Sequence, residues 1–549
     1  MRQKRKITSL IILMVLILAG CGGPKEEPKP QPEPKVEEKP VVVEPKKDLI
    51  YGSADYTSIN PALYEHGEIN LLLFTGLTAH DKHNKVVPDL AKEWVYDKKT
   101  KTYTFTLRED VKWHDGQAFT AKDVKFTLEA IMNPDNGSEI ASNYEEIESI
   151  EMVDDYHLKI KLKENNVAIL DYLTIGILPA HLLEGKELAT DAFNQFPIGT
   201  GPFKMERWDR GQSITMVRND DYYGNKAKLE KVIFKIVADD KAKAIQLKSG
   251  ELDLAQVTPK DGESFKDDKN YIIHDMRTAD YRGILYNFNN PFFAKHRELP
   301  NALSYGIDRK KILDMVLLGQ GEVAYSPLQA GPYNNLEIEK YDYNPAKAKE
   351  MLEKAGWVLN KEGIYEKAGD VLGFTINCME GDQVRVDMAN ICAQDLKAIG
   401  ADVKVEVKTD IDWENQEAFL IGWGSPFDPD DHTYKVFGTD KGANYQKYSN
   451  KKVDENLKKA REVADEKSRL KYYHAFQTEL SKDLPFTFLT YIDAIYVSKS
   501  NVSGLESGTL LGHHGVGIFW NIEDWEIIQE EPAASQEETA TPAAVESKK

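Results

Sequence analysis

The chain has 549 residues and a formal net charge of −20, from 90 acidic and 70 basic side chains. That balance excludes a nucleic-acid binder and a protein lying on anionic lipid, because both need a basic surface. The length exceeds what one hydrophobic core supports and predicts two or three domains.

In chain order, Arg2, Lys4, Arg5 and Lys6 precede an apolar run, Leu10–Leu18, that ends in Leu18-Ala19-Gly20-Cys21. The run is shorter than the roughly 20 residues of a spanning helix. A basic flank, a short apolar core and small residues before a cysteine predict a cleaved export signal over residues 1–20. Cys21 is then the first mature residue and the lipid attachment point. Residues 21–47 follow as a tether. Gly22–Lys47 holds seven Pro, six Glu and six Lys, too little apolar surface to offset its ordering entropy. Fully extended, it reaches about 80 Å. The Ala/Glu/Ser/Thr-rich tail over 529–549 is also expected to be disordered.

The body between them alternates strands and helices. Thr102–Leu107 alternates polar and apolar residues, as a half-buried strand does. Thr120 with Asp123 three positions on reads as a capping box opening a helix. His157–Leu162 is a further strand. Val232–Val237, a helix over Asp240–Lys248 closed by Gly250, and Leu252–Val257 form a βαβ unit. Gly283–Phe288 is a strand. Asn344, Pro345 and Gly356 bracket a helix with the expected cap asymmetry. Phe374–Cys378, a helix over 384–398 and Val403–Val407 make a second such unit. Cys378 and Cys392 lack zinc or redox spacing and are expected as free, buried thiols.

No nucleophile elbow, phosphate loop, HExxH or dinucleotide fingerprint occurs. Binding rather than catalysis is therefore the default for an exported, tethered α/β chain.

An ordered series of segments carries a resemblance. It comprises Val87-Pro-Asp-Leu-Ala-Lys-Glu-Trp94, Thr104–Phe126 with Trp113-His-Asp-Gly116, Pro197–Phe203, Lys248–Asp253, Asn301–Arg309 and Gly422-Trp-Gly-Ser-Pro-Phe-Asp-Pro429. Over residues 48–528 the chain resembles family 5 of the extracytoplasmic solute-binding proteins, the dipeptide, oligopeptide and nickel receptors of ABC importers. The resemblance implies an α/β fold like the type II periplasmic binding proteins, two lobes around a cleft with a third small domain inserted in the first. The implied divisions are lobe I over 48–280 with an insertion at about 80–190, lobe II over 281–485, and a return to lobe I over 486–528. It implies no enzyme activity, a permease and its ATPase as partners, no resident cofactor, and a monomer on the outer face of the bacterial cell membrane.

The candidate ligand residues follow. Gly512-His513-His514-Gly515 offers imidazoles suited to nickel. In extended chain neighbouring side chains point apart, so one histidine is expected to ligate and the other to orient or pack. Some nickel-chelate receptors of the family use a histidine from a C-terminal loop, with an exogenous chelator supplying further ligands. Trp423 and Phe427 match aromatics that line the cleft in nickel-binding members. Where those members often carry a further histidine after Asp-Pro, this chain has Asp430, with His432 two positions on. Asp428, Asp430 and Asp431 read either as an acidic patch for a cationic ligand or as turn and capping residues. Arg385, where a strand passes into a helix, suits a carboxylate clamp. Arg282 is a similar candidate near the hinge, and Tyr56 offers ring packing near the end of the first strand. Short peptides and a nickel chelate both stay open as ligand, with peptide the safer name. A sensory co-receptor of the same fold is the alternative from another class.

Overall fold

Two long strands join the halves of the molecule. Tyr271–Tyr286 and Phe486–Lys499 pair antiparallel in the middle of an eleven-stranded sheet. The computed structural model describes residues 47–528 except 65, 66 and 238. The expected signal, Cys21, the expected tether up to residue 46 and the acidic tail over 529–549 therefore lie outside the described residues. On one side of the crossing pair lie Leu254–Val257, Asp48–Ser53, Lys231–Ile236, Ser213–Arg218 and Phe203–Asp209; on the other lie Ala418–Trp423, Gly373–Met379 and Asp402–Lys408.

Each half has its own core. Leu49, Phe74, Phe105, Leu128, Phe203 and Phe234 belong to the first, which Phe519 and Trp525 complete as the chain returns. Ile284, Leu303, Trp357, Ile376, Phe437 and Phe476 belong to the second. The crossing strands feed both cores. Met276, Ala494 and Tyr496 pack in the first, whereas Tyr281, Leu285, Phe486 and Tyr491 pack in the second. The chain passes from one lobe to the other between these positions.

The long strands explain a difference from the sequence reading, which placed only Gly283–Phe288 as strand in this region. From Tyr271 to Arg277 the strand is largely solvated, whereas Thr278–Tyr286 is buried throughout. A strand covered on both faces loses the alternation that would have revealed it. Between Arg277 and Tyr281 the register with the second strand shifts. That irregularity bends the strand and re-aims its side chains.

The local signals translate well elsewhere. The capping box forms at Thr120–Asp123 ahead of the helix Ala121–Met132. The Asn344 side chain accepts from the Lys347 N–H at the start of Pro345–Lys354. Gly250 and Gly356 take left-handed φ of 80° and 89° behind their helices. In the first βαβ unit, Lys231–Ile236 and Leu254–Val257 are not neighbours, because Asp48–Ser53 lies between them, parallel to both. In the second, Gly373–Met379 and Asp402–Lys408 pair directly in parallel. A separate antiparallel sheet of Ala91–Asp97, Thr102–Leu107, His157–Leu162 and Ile147–Asp154 forms on the first core. Cys378 and Cys392 are free and buried, as expected. Among the described residues no helix is long and apolar enough to cross a membrane.

Candidate functional site

The site grows from the irregular stretch of the first crossing strand. Asp280 and Arg282, two apart, fall on one face, where both are almost fully buried and their side chains pair. Tyr281 points the other way, into Phe488 and Tyr491. The neighbouring strand has glycine where Arg282 crosses it. Arg282 lies opposite Gly422, and a Cβ there would overlap the guanidinium. A Cβ at Gly424 would overlap the Ala279 carbonyl. The Gly422-Trp-Gly424 spacing of the sequence is thus a packing requirement of Asp280 and Arg282.

The histidine loop closes on the same carboxylate. His513 Nδ1 lies 2.9 Å from Asp280 Oδ1, and the His514 N–H donates to Asp280 Oδ2 at 2.9 Å. The expected divergence of the two imidazoles does not hold, because the loop is not extended. His514 has φ 58°, a left-handed conformation that costs a non-glycine residue about 1–2 kcal/mol. That turn brings the ring centroids to 3.9 Å. One ligand atom each from Asp280, His513 and His514 then lie within 4.8 Å of one another, a group able to hold a metal ion.

Electrostatics prepare these groups as ligands. Burial alone would raise the Asp280 carboxyl, but the Arg282 charge, with the adjoining His513, outweighs it and holds the group well below the usual carboxylate range. Burial lowers His513, against the pull of Asp280. His514 is reachable by solvent yet enclosed by surrounding protein; that desolvation, with His513 and the arginines beside it, lowers it to about 2. The site therefore combines one carboxylate with two neutral imidazoles at neutral pH.

Arg385 completes the polar set. Its backbone N–H is capped by Asp382 at 2.9 Å, and Nε lies 3.0 Å from Asp382 Oδ2. Nη2 is buried with no partner among the described residues. Burial, then the nearby Arg282, lowers its pKa to about 10. A carboxylate is the natural partner for such a donor. Trp423 leads an aromatic row into the site. It lies 6.4 Å and 24° from His513 and 6.3 Å and 20° from Tyr445, which stacks on Trp413 at 4.3 Å.

Other sequence candidates sit elsewhere. Phe427 stacks on His80 of the first lobe at 3.8 Å and 5°, so it closes the lobes on each other. Asp428 is not an open ligand group, since Arg469 holds both its oxygens at 2.6 and 2.7 Å. Asp430 is clamped by Arg461 and accepts from the Tyr172 hydroxyl at 2.7 Å, again across the lobes. Asp431 pairs with Lys435, and His432 Nε2 donates to the Pro327 carbonyl at 3.1 Å. The acidic-patch reading of 428–431 therefore gives way to internal pairing. Tyr56 packs beside Phe234 on the first core. A cavity of about 240 Å³ at the lobe boundary is lined by Lys82, His83, Tyr333, Pro426, Phe427 and His432.

Sequence reasoning missed Asp280, Trp413 and Tyr445. Asp280 had one available signal, its i, i+2 spacing from Arg282 within a strand. Trp413 and Tyr445 carry none, because only the fold brings them to Trp423.

Two lobes joined by crossing strands, with a polar site at the crossing, define a hinged solute-binding protein. The profile for bacterial extracellular solute-binding proteins, family 5, matches residues 85–445, and the chain belongs to that family. It is 31% identical to the oligopeptide-binding protein AppA of Bacillus subtilis over 95% of this chain and 99% of that one. The AppA structure in complex with a nonapeptide superposes with a TM-score of 0.79, covering 88% of this chain and all of that one. The structure of NikZ from Campylobacter jejuni in complex with Ni(L-His) superposes with a TM-score of 0.82 at 40% identity, covering 88% and 100%. The nickel-binding periplasmic protein of Escherichia coli is 27% identical over 81% of this chain and 89% of its own length.

Proposed function

We propose that this protein is the extracytoplasmic receptor of an ABC importer and that its cargo is nickel held by a small amino-acid chelator. The observation that carries this reading is the convergence of Asp280, His513 and His514 within 4.8 Å. Three protein donors leave coordination positions for a chelator, and the unpartnered Nη2 of Arg385 suits that chelator's carboxylate. The aromatic face of Trp423 packs against the chelate. Phe427 and Asp428 serve closure and structure, so they leave the ligand set.

Short peptides are the second reading, and the AppA relationship favours them. The protein is a transport component without catalysis, held at the membrane by lipid on Cys21 and delivering cargo to a permease and its ATPase. Lobe I comprises about 48–280 with its insertion, and the second crossing falls near 491–494.

Calorimetry of the metal-stripped protein tests the ligand. Saturable heat with nickel plus L-histidine is expected, and little heat with a panel of di- to nonapeptides. Heat with peptides alone would transfer the assignment to them. Replacing Cys21 with Ser is expected to release the protein from membranes with ligand binding unchanged; continued membrane attachment of that variant would count against the anchor.

A further inference from the structure

The histidine loop has neither helix nor strand to shape it beyond one short 3-10 turn, His513–Gly515. Its course is left-handed at His514, Gly515 and Gly517, with φ of 58°, 74° and 117°. Such a course turns successive N–H groups to one side, where they form an anion-binding concavity. A side chain already fills it. Glu68, just ahead of the first helix and only 7% exposed, accepts from the Gly517 N–H at 2.9 Å and the Ile518 N–H at 3.3 Å. The Phe519 N–H faces the same carboxyl. The other oxygen, Oε2, is buried without a partner among the described residues.

Three further side chains hold the loop from outside. Gln256 donates to the His514 carbonyl at 3.2 Å, the Tyr496 hydroxyl donates to the Gly515 carbonyl at 3.1 Å, and Asp280 accepts from His514 N–H. Asp280 has Arg282 to balance its charge. Among the described residues, backbone dipoles are the charge-stabilising contacts of Glu68.

We propose that Glu68 is the positioning residue of the histidine loop, fixing both imidazoles for metal capture and making the strength of that capture depend on pH. The proposal rests on the metal–chelate reading. Burial raises the Glu68 pKa to about 7, against the N–H groups that lower it. Tyr51, Tyr56 and Tyr496 also face it, and burial raises all three phenols, so they stay neutral between pH 6 and 8. His514, lowered to about 2, stays neutral there too, and burial lowers His513 as well. Within that window Glu68 changes charge. Ionised, it accepts the N–H groups as charge-assisted bonds; protonated, it holds them less firmly.

Two variants test this. In Glu68→Ala, amide hydrogen exchange over residues 514–519 is expected to speed about tenfold without metal, with the crossing strand at 281–286 unchanged. Glu68→Gln keeps an acceptor oxygen but never ionises. Titrated with nickel chloride, it is expected to match the natural protein near pH 6. By pH 8 it should fall several-fold behind, giving a flatter profile. Unchanged loop exchange in Glu68→Ala, or parallel pH profiles for Glu68→Gln and the natural protein, would overturn the proposal. If the natural protein takes no nickel, the metal–chelate reading falls, and loop exchange alone decides whether Glu68 positions the loop. If Glu68→Ala folds poorly, exchange is read on Glu68→Gln, where a smaller acceleration over 514–519 is expected and none would overturn the role.

Discussion

The turn at residues 428–431 and the loop at 512–518 both look chemically rich in sequence, yet the fold uses them in opposite ways. At 428–431 the carboxylates are satisfied internally. Arg469 closes on Asp428, Arg461 on Asp430 and Lys435 on Asp431. At 512–518, His513 and His514 converge with Asp280, while the neighbouring Arg385 guanidinium keeps a donor without a partner among the described residues. Charge density alone does not mark a ligand site. Convergent donor atoms do, when the protein leaves part of their bonding capacity unfilled.

The sharpest break between the two regions comes from removing one partner in the turn. Asp430→Ala takes the nearest carboxylate from the Arg461 guanidinium, 5% exposed, leaving Glu145 and Glu146 at 3.9 and 3.7 Å, and loses the bond from Tyr172. Removing one partner of a buried ion pair costs about 3–5 kcal/mol. Urea unfolding is expected to show that loss, while nickel affinity of the folded fraction stays unchanged. A matching loss of affinity would merge the two regions into one site.

The reverse pattern is expected in the loop. Replacing both His513 and His514 with Ala should lower nickel affinity roughly 100-fold, about 2.7 kcal/mol, with little loss of metal-free stability. Equal affinity in isothermal titration would remove the loop from the metal site. Next in size is Arg385→Lys, which replaces a planar fork with a point charge. Affinity for nickel with L-histidine should drop about tenfold, or 1.4 kcal/mol, while affinity for nickel alone holds. A uniform drop would show that Arg385 does not meet the chelator.

The smallest effect concerns Asp493 on the second crossing strand, where burial and then Asp275 raise its pKa to about 6 from 3.8. The native state holds this proton more tightly than the unfolded chain, so stability falls as pH rises from about 4 to 6 and is level above. Asp493→Asn removes that penalty. Because the group is partly solvated, a gain of only about 1 kcal/mol at pH 7.5 is expected, shrinking toward pH 4. A gain independent of pH would point to packing instead.

The sequence made legible whatever rests on neighbours in the chain. The Thr120 capping box, the Asn344 cap and the strand Thr102–Leu107 are local patterns, and so they were found. The family segments located the fold and pointed to Trp423, whereas His513 and His514 were singled out by their own Gly-His-His-Gly pattern and Arg385 by its place where a strand passes into a helix. What escaped depends on distant partners. Asp430 meets an arginine 31 residues on, and Asp428 one 41 residues on, so no local pattern distinguishes them from free acids. Asp280 is aimed by a register shift in a strand too buried to alternate. The left-handed turn at His514, which reverses the expected divergence, is imposed by side chains from other elements, including Glu68, Gln256 and Tyr496.

Anomalous diffraction at the nickel absorption edge, on crystals grown with nickel and L-histidine, tests the central claim most directly. The account predicts one strong peak bounded by His513, His514 and Asp280, with the chelator carboxylate against Arg385. A peak beside Asp428–Asp431, or none in the cleft, would contradict it.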